Sequence, residues 1–83
     1  MFIFPNPADN IANIRYKIAN DGFVNISLYD ILGEKVVDFV GKYLLKGVYN
    51  SEINLSLIPS GVYMCKMVLN GRIVVIRKLV ISK

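Results

Sequence analysis

The sequence predicts an all-β protein, an antiparallel sandwich of about seven strands. Hydrophobic residues make up 54% of the 83 residues, and Val, Ile, Leu and Tyr, which favour strands, dominate them. Apolar and polar residues alternate with a period of two along several runs, which is the pattern of half-buried strands. Turn-forming Asn, Asp, Gly and Pro separate these runs. Two sheets packed face to face would bury the apolar sides.

The first part of the chain predicts two strands joined to the rest by turns. Residues 2–4 form a short apolar run that fits an edge strand, and residues 5–7, Pro-Asn-Pro, force extended or turn backbone. Residues 10–18 alternate apolar and polar side chains, which predicts the next strand. Residues 20–22, Asn-Asp-Gly, predict a hairpin turn into the strand that follows.

A central hairpin is predicted over residues 23–40, and the chain is organised around it. Val24, Ile26 and Leu28 alternate with polar side chains and are predicted to face the core. The alternation breaks between Asp30 and Gly33, where Asp can bond nearby backbone and Gly can adopt a positive φ. A second strand follows, and its register is set by the face that the hairpin buries.

The remaining residues predict three more strands. Residues 41–47 read as a connection whose apolar residues fold back onto the sandwich between Lys42 and Lys46. Strands are predicted over residues 48–55 and 62–69, with a tight corner at residues 58–61 between them. Asn70-Gly71 predicts a hairpin into a last strand, residues 72–82. That strand is nearly all apolar, so it is expected to be buried on both faces or covered at an edge.

Composition limits the chemistry open to this chain. It has no His, and the single cysteine, Cys65, excludes an internal disulfide and a multi-cysteine metal site. The net charge is +4, but the cations are spread along most of the chain, so ordinary solubilising charge is favoured over nucleic-acid binding. No apolar run reaches the roughly 18 residues of a membrane helix, and no leader begins the chain. One domain over residues 1–83 is predicted, and an export signal would lie elsewhere.

No catalytic or cofactor site is predicted. The carboxylates lie in or beside turns, and no spacing suggests the facing pair of a glycosidase. The oxygen-rich residues Asp9, Asn10, Asn20 and Asp21 fit either a Ca²⁺ site or turn caps, and turn caps are favoured. Five strand tyrosines fit either a sugar-binding platform or packing, and packing is favoured: Tyr16, Tyr29, Tyr43, Tyr49 and Tyr63.

Four local patterns stand in one order along the chain. They are F-P-N-P-A-D-N at residues 4–10, V-N-I-S-L-Y-D-I-L-G-E-K-V at residues 24–36, I-N-L-S-L-I-P-S-G-V-Y at residues 53–63 and R-K-L-V-I at residues 77–81. Together they resemble the type A C-terminal sorting domain of the Bacteroidetes type IX (Por) secretion system. The resemblance covers nearly the whole chain.

That resemblance implies an immunoglobulin-like sandwich of seven strands at the C-terminal end of a larger secreted protein. It implies a non-catalytic signal that an outer-membrane translocon recognises after passage through the periplasm. A surface peptidase then removes the domain, and the cargo is released or attached to the cell surface. The positions that carry the family pattern here are Pro5, Asn6, Pro7, Tyr29, Asp30, Gly33, Gly61 and Tyr63.

The last strand is the expected recognition element, because a translocon that accepts many cargoes should read shape and a few residues at one end. The residues expected to take part are Arg77, Lys78, Leu79, Val80 and Ile81. Closing the sheet is their alternative role. If this strand is an exposed apolar edge, weak homodimers are also expected.

Two other functions fit the sequence. The first is an immunoglobulin-like accessory module that binds carbohydrate or serves adhesion, because a fold does not settle a function. The second is a free-standing small interaction protein. No cofactor, nucleic acid or membrane insertion is expected for any of the three.

Overall fold

The computed structural model describes all 83 residues and contains seven strands. It has no helix of the length and apolarity that would cross a membrane. The strands are β1 (Phe2–Phe4), β2 (Ile11–Ile18), β3 (Gly22–Tyr29), β4 (Lys35–Leu44), β5 (Gly47–Asn54), β6 (Gly61–Leu69) and β7 (Arg72–Ile81). The predicted all-β class is confirmed, and the predicted short edge strand is β1.

The strands form two antiparallel sheets that pack as a sandwich. One sheet has the order β1-β2-β5 and the other has the order β4-β3-β6-β7. This is the strand order of a constant-type immunoglobulin sandwich except for the fourth strand. In the constant type the fourth strand lies beside the fifth, whereas here β4 lies beside β3. The predicted central hairpin therefore places β3 second from the edge of the larger sheet, with β6 on its other side.

One hydrophobic core fills the space between the sheets. It contains 17 buried residues from both sheets and from the loops at one end. Val24, Ile26 and Leu28 are completely buried, so the predicted inward face of β3 is confirmed. Each such aliphatic side chain contributes about 1.5–3 kcal/mol when it leaves water. Burial also alternates along β2 and β6, and along β5 half-buried and exposed residues alternate up to the buried Ile53.

Two of the predicted hairpin turns are confirmed by their backbone angles. Gly33, between β3 and β4, has a φ of 83°. Asn70 and Gly71, between β6 and β7, have φ values of 50° and 80°. A two-residue turn with both φ values positive matches the right-handed twist of the strands that it joins.

The hairpin predicted at residues 20–22 is wrong. β2 pairs with β1 and β5, and β3 pairs with β4 and β6, so these residues carry the chain from one sheet to the other. The glycine has a different reason: a Cβ at Gly22 would lie 2.4 Å from the side chain of Asn70. A side chain at position 22 would therefore displace the side chain of Asn70, whose Oδ1 accepts from the N–H of Phe23.

The connection predicted at residues 41–47 is also wrong for most of its length. β4 continues through Gly41 to Leu44, because pairing with β3 outweighs the low strand propensity of glycine. Leu44 is half-buried against the core, but Tyr43 and Leu45 are each 64% exposed. These two side chains therefore project from the sandwich and do not fold back onto it.

The prediction that the last strand is buried on both faces is wrong, whereas the alternative, cover at an edge, holds for its end, where residues 6–8 bond to it. β7 is the edge strand of the larger sheet, and Ile73, Val74 and Ile76 are all largely exposed. The opposing sheet has only three strands, so it covers β7 only near the end of that strand. Leu79 and Ile81 are the two side chains of β7 that are buried in the core.

Candidate functional site

Segments far apart in the sequence meet at one end of the sandwich. β3 finishes beside the start of β6, where Tyr29 pairs with Met64. β7 finishes there too, because Gly61 pairs with Ile81. The start of β2 and the end of β5 lie at the same end of the other sheet. We call this end the motif end; it consists of residues 5–10, 29–36, 54–63 and 78–83.

The N-terminal segment of the motif end is hydrogen-bonded to β7. The side-chain amide of Asn6 donates to the carbonyl of Lys78 at 2.9 Å and accepts from the N–H of Val80 at 3.0 Å. The buried Ala8 continues the ladder: it donates to the carbonyl of Val80 and accepts from the N–H of Ser82, each at 2.8 Å. Residues 6–8 therefore cover the end of the β7 edge as a short parallel strand would.

Pro5 and Pro7 stand on either side of Asn6, and the peptide bond before each proline is cis. The segment leaves β1, which belongs to the three-stranded sheet, and contacts the four-stranded sheet. The bonds of Asn6 and Ala8 thus tie the two sheets together at this edge.

The last residue, Lys83, is anchored by the loop between β5 and β6. Its ammonium donates to the carbonyls of Leu55, Ser56 and Ile58 at 2.7, 3.1 and 2.7 Å. Its backbone N–H donates to the hydroxyl of Ser60 at 3.0 Å. An ammonium has three donors, so each of the three has a carbonyl partner. The end of the chain and the β5–β6 loop therefore hold each other in place.

Tyr63 also holds the loop between β5 and β6 through a hydrogen bond. Its hydroxyl donates to the carbonyl of Pro59 at 2.7 Å, which is the tyrosine corner of immunoglobulin-like sandwiches. The Tyr63 ring packs over Gly61, where a Cβ would lie 3.4 Å from it, which is van der Waals contact. The family positions Gly61 and Tyr63 thus form one structural unit.

The turn between β3 and β4 is organised by one carboxylate. Asp30 accepts from the N–H groups of Leu32 and Glu34 at 2.9 and 3.0 Å. Gly33 donates its N–H to the carbonyl of Asp30 at 3.0 Å and supplies the positive φ. The family positions Asp30 and Gly33 therefore shape this turn.

A polar cluster lies on the outer face of β3 and β4. The carboxylate of Asp38 accepts from the hydroxyl of Ser27 and lies 3.1 Å from the ammonium of Lys35. The Ser27 hydroxyl and then Lys35 hold the pKa of Asp38 below its ordinary value. The ammonium of Lys66 lies 4.3 Å from the centroid of the Tyr29 ring, a cation–π contact. The family position Tyr29 is thus part of the outer face.

The structure divides the expected recognition residues into two groups. Leu79 and Ile81 are buried in the core, and Val80 is half-buried with its backbone bonded to the N-terminal segment. Arg77 and Lys78 are exposed. Within this set, the side chains that a partner can reach in the folded domain are therefore the two cations.

The loops of the motif end present aliphatic side chains to solvent. Ile31 and Leu32 are 78% and 80% exposed, and Leu57 is 96% exposed. A groove of 290 Å³ runs beside Ile31 and Val62, and a second groove of 320 Å³ runs beside Leu57 and Val36. Sequence reasoning did not single out these side chains, although large aliphatic residues at turn tips are an unusual signal.

The oxygen-rich residues named above do not form one site. Asp9 precedes β2 and Asp21 follows it, so the eight residues of that strand separate them by about 26 Å. Asp21 accepts from the N–H of Lys46 at 2.7 Å, which is the turn-capping role that the sequence favoured. No group of three or more metal-ligating side chains is assembled anywhere in the structure.

The five tyrosines do not form a common platform. Tyr16 stacks on Tyr49 with ring centroids 5.7 Å apart, and Tyr63 is buried in the opposing sheet. Tyr29 and Tyr43 lie near opposite ends of the β3–β4 pair. The packing role that the sequence favoured holds for Tyr16, Tyr49 and Tyr63.

Sequence reasoning did not predict the hydrogen bonds of two residues that organise the motif end. Asn6 was singled out as a position of the family pattern, but its bonds to a strand 72 residues away have no local signal. The bonds of Lys83 to the loop between β5 and β6 have no local signal either. Both sets of bonds are seen only in the tertiary structure.

One family model matches nearly the whole chain. The family described as the secretion system C-terminal sorting domain matches residues 2–82. No curated protein and no solved structure matches the chain.

Proposed function

Because the chain belongs to the family of type IX secretion C-terminal sorting domains, we propose that it is a non-catalytic signal that directs a cargo protein through the outer-membrane translocon. The observation that carries this proposal is that each of the four sequence patterns contributes residues to the motif end. A translocon that accepts many cargoes must recognise features that do not depend on the cargo. One end of a rigid sandwich, built from all four patterns, offers such a feature.

The recognised surface combines cations with exposed aliphatic side chains. Arg77 and Lys78 are the reachable charges of the last strand. Ile31, Leu32 and Leu57 are the exposed apolar side chains of the adjacent loops. Apolar groups surrounded by polar ones are the usual composition of a protein interface.

The proposed sequence of events follows from the family. The domain lies at the C-terminal end of a larger secreted protein and passes through the periplasm. After translocation a surface peptidase removes it, and the cargo is released or attached to the cell surface. The dispersed tyrosines lend no support to the alternative of a carbohydrate-binding accessory module.

The proposal is tested by fusing residues 1–83 to a fluorescent protein that is directed to the periplasm. In a bacterium with a working type IX system, the reporter should appear outside the cell or on its surface. Lys78→Ala should trap it in the periplasm while leaving stability nearly unchanged, because an exposed charge contributes little to folding. Arg15→Ala, an exposed cation on β2, is the matched control and should be exported.

Three results would count against the proposal or its details. Periplasmic retention of the intact fusion means that the domain is not a sufficient signal. Normal export of the Lys78→Ala variant means that recognition does not depend on this cation. Periplasmic retention of the Arg15→Ala variant means that the translocon recognises charge over the whole sandwich and not only at the motif end.

A further inference from the structure

The end of the sandwich opposite the motif end has a different composition. It consists of residues 17–23, 42–48 and 69–75, and we call it the basic end. It carries four cations against one carboxylate, whereas the motif end carries three of each. The carboxylate is Asp21, which already caps the N–H of Lys46. The cations of the basic end are Lys17, Lys42, Lys46 and Arg72.

Large apolar side chains are exposed among these cations. Phe23 and Tyr43 are cross-strand partners and are 49% and 64% exposed. Leu45, Val48 and Ile73 are also mostly exposed. The sequence Lys-Tyr-Leu-Leu-Lys at residues 42–46 thus places apolar side chains between two lysines, at the place where the chain turns from β4 to β5.

The turn that presents Leu45 is held on both sides. The carbonyl of Leu45 accepts from the hydroxyl of Tyr49, and the next N–H, that of Lys46, donates to Asp21. Tyr49 is itself fixed by stacking on Tyr16 in the smaller sheet. The turn therefore holds Leu45 in an exposed position. Exposure of an apolar side chain to water is unfavourable.

We propose that the basic end binds an anionic lipid surface. Tyr43 and Leu45 enter the boundary between headgroups and acyl chains, and Lys42 and Lys46 lie at the headgroup phosphates. Basic residues beside exposed aromatic and aliphatic ones are the composition of proteins that lie on such surfaces. The contact is peripheral, and nothing crosses the membrane.

Charge and side-chain type favour this occupant over the others. A second copy of the basic end would bring like charges together, which opposes pairing. An acidic polymer would satisfy the lysines but would leave the aliphatic Leu45, Val48 and Ile73 in water. A lipid surface satisfies both, because it offers phosphates and an apolar layer a few ångströms apart.

The proposal also fits the shape of the molecule. The longest dimension of the sandwich is 36 Å, and the basic end and the motif end lie at opposite ends of the strands. A domain that binds a lipid surface through its basic end would therefore leave the motif end free to bind another partner.

Vesicle sedimentation tests the charge requirement. The 83-residue chain should sediment with vesicles that contain phosphatidylglycerol and not with pure phosphatidylcholine, and high salt should release it. A lysine near an anionic surface changes binding about fivefold, so Lys42→Ala with Lys46→Ala should weaken it about 25-fold. The matched control, Lys35→Ala with Lys66→Ala, removes the same charge from the outer sheet face and should leave binding within about twofold of wild type.

Fluorescence tests which end touches the lipid. The chain has no tryptophan, so a single one reports on its own position. The emission of a Tyr43→Trp variant should shift to the blue when anionic vesicles are added. The emission of a Leu32→Trp variant, at the motif end, should not shift.

The proposal is overturned by any of four results. These are absence of binding to anionic vesicles, equal binding to neutral ones, equal weakening by the control pair and a blue shift at Leu32→Trp without one at Tyr43→Trp. Capture by heparin without vesicle binding would assign the basic end to an acidic polymer.

Discussion

The side chain of Asn6 takes the place of a peptide group at the edge of β7. An amide both donates and accepts, so it can bond the carbonyl of Lys78 and the N–H of Val80 at once. A carboxylate of the same size accepts but does not donate, so it would lose the bond to the carbonyl of Lys78. The chemistry of one residue thus explains why asparagine suits this position of the family pattern.

Asn6→Ala should lower the free energy of unfolding by about 1 kcal/mol, because an exposed hydrogen bond is partly replaced by water. Urea denaturation measures this change, and hydrogen exchange at the amide of Val80 should become faster. Asn50→Ala, an exposed asparagine of β5, is the control and should change neither quantity. Unchanged exchange at Val80 in Asn6→Ala would show that the amide does not protect the edge.

Cys65 behaves as a buried apolar residue. Its side chain is completely buried, and burial raises the pKa of its thiol from 9.0 to about 12. The thiolate is therefore disfavoured in the folded protein, and the thiol should not react with thiol reagents until the protein unfolds.

The pKa of Cys65 makes stability depend on pH in a defined window. Because the folded pKa is raised, the contribution of the thiol is complete below pH 9 and is lost as the pH rises toward about 12. Within that window the free energy of unfolding should decrease by up to about 1.4 kcal/mol per pH unit. Thermal melts from pH 8 to pH 11 should therefore fall more steeply for wild type than for Cys65→Ala. Parallel slopes would contradict the buried thiol.

At the scale of the element, β7 is an edge strand with two different halves. Its end is covered by residues 6–8, as described above. Its beginning is protected by other means: Val74 is an unpaired bulge residue, and the guanidinium of Arg77 bonds the carbonyl of Ile76. Bulges and cations are the usual devices that keep edge strands from pairing with other chains.

Homodimers through the beginning of β7 should therefore be weak. Antiparallel pairing of two copies about the Val74–Val75 bond would place Arg72 of one copy opposite Arg77 of the other. We expect sedimentation to show monomers at low salt and more self-association at high salt, since salt screens the repulsion. Arg77→Glu should promote dimers at low salt. A dimer of wild type that salt dissociates would contradict this arrangement.

At the scale of the whole molecule, residues 6–8 and the last residue, Lys83, are fixed at the same end of the sandwich, whereas Met1 lies beside Lys17 near the other end. Residues 6–8 bond to β7, and Lys83 bonds to the loop between β5 and β6. The motif end is therefore held together by contacts between residues that are far apart in sequence. Loosening one contact should loosen its neighbours.

Lys83→Met tests this coupling, because methionine keeps much of the apolar stem and lacks the ammonium. We expect a loss of about 1 kcal/mol in the free energy of unfolding, limited by the exposure of the lysine. Hydrogen exchange at the amide of Ile58 should become faster. The carbonyl of Ile58 loses its bond to the ammonium of Lys83, and the loop between β5 and β6 loses the other bonds that hold it in place. Lys17→Met, without such bonds, should leave Ile58 unchanged. Normal protection of Ile58 in Lys83→Met would mean that the loop is stable without the chain end.

The strands and the true hairpin turns could be predicted from the sequence because both depend on neighbouring residues. A period of two defines which residues share a face, and Asn-Gly, as at residues 70–71, strongly favours a two-residue turn with positive φ values. The motif positions also came from the sequence, through family resemblance. The sequence alone thus determined the all-β class, the inward face of β3 and the set of motif positions.

Only the tertiary structure decided how these pieces are arranged. The turn at residues 20–22 has the composition of a hairpin, but the partner of a strand depends on the whole packing of the core. The burial of β7 depends on how far the opposing three-stranded sheet extends. The sequence of β7 alone does not determine the extent of that sheet. The bonds of Asn6 and Lys83 join residues separated by 23 to 74 positions, so no local pattern specifies them. Local conformation depends on neighbouring residues. Contacts between residues that are distant in sequence form only when the packing of the core brings them together.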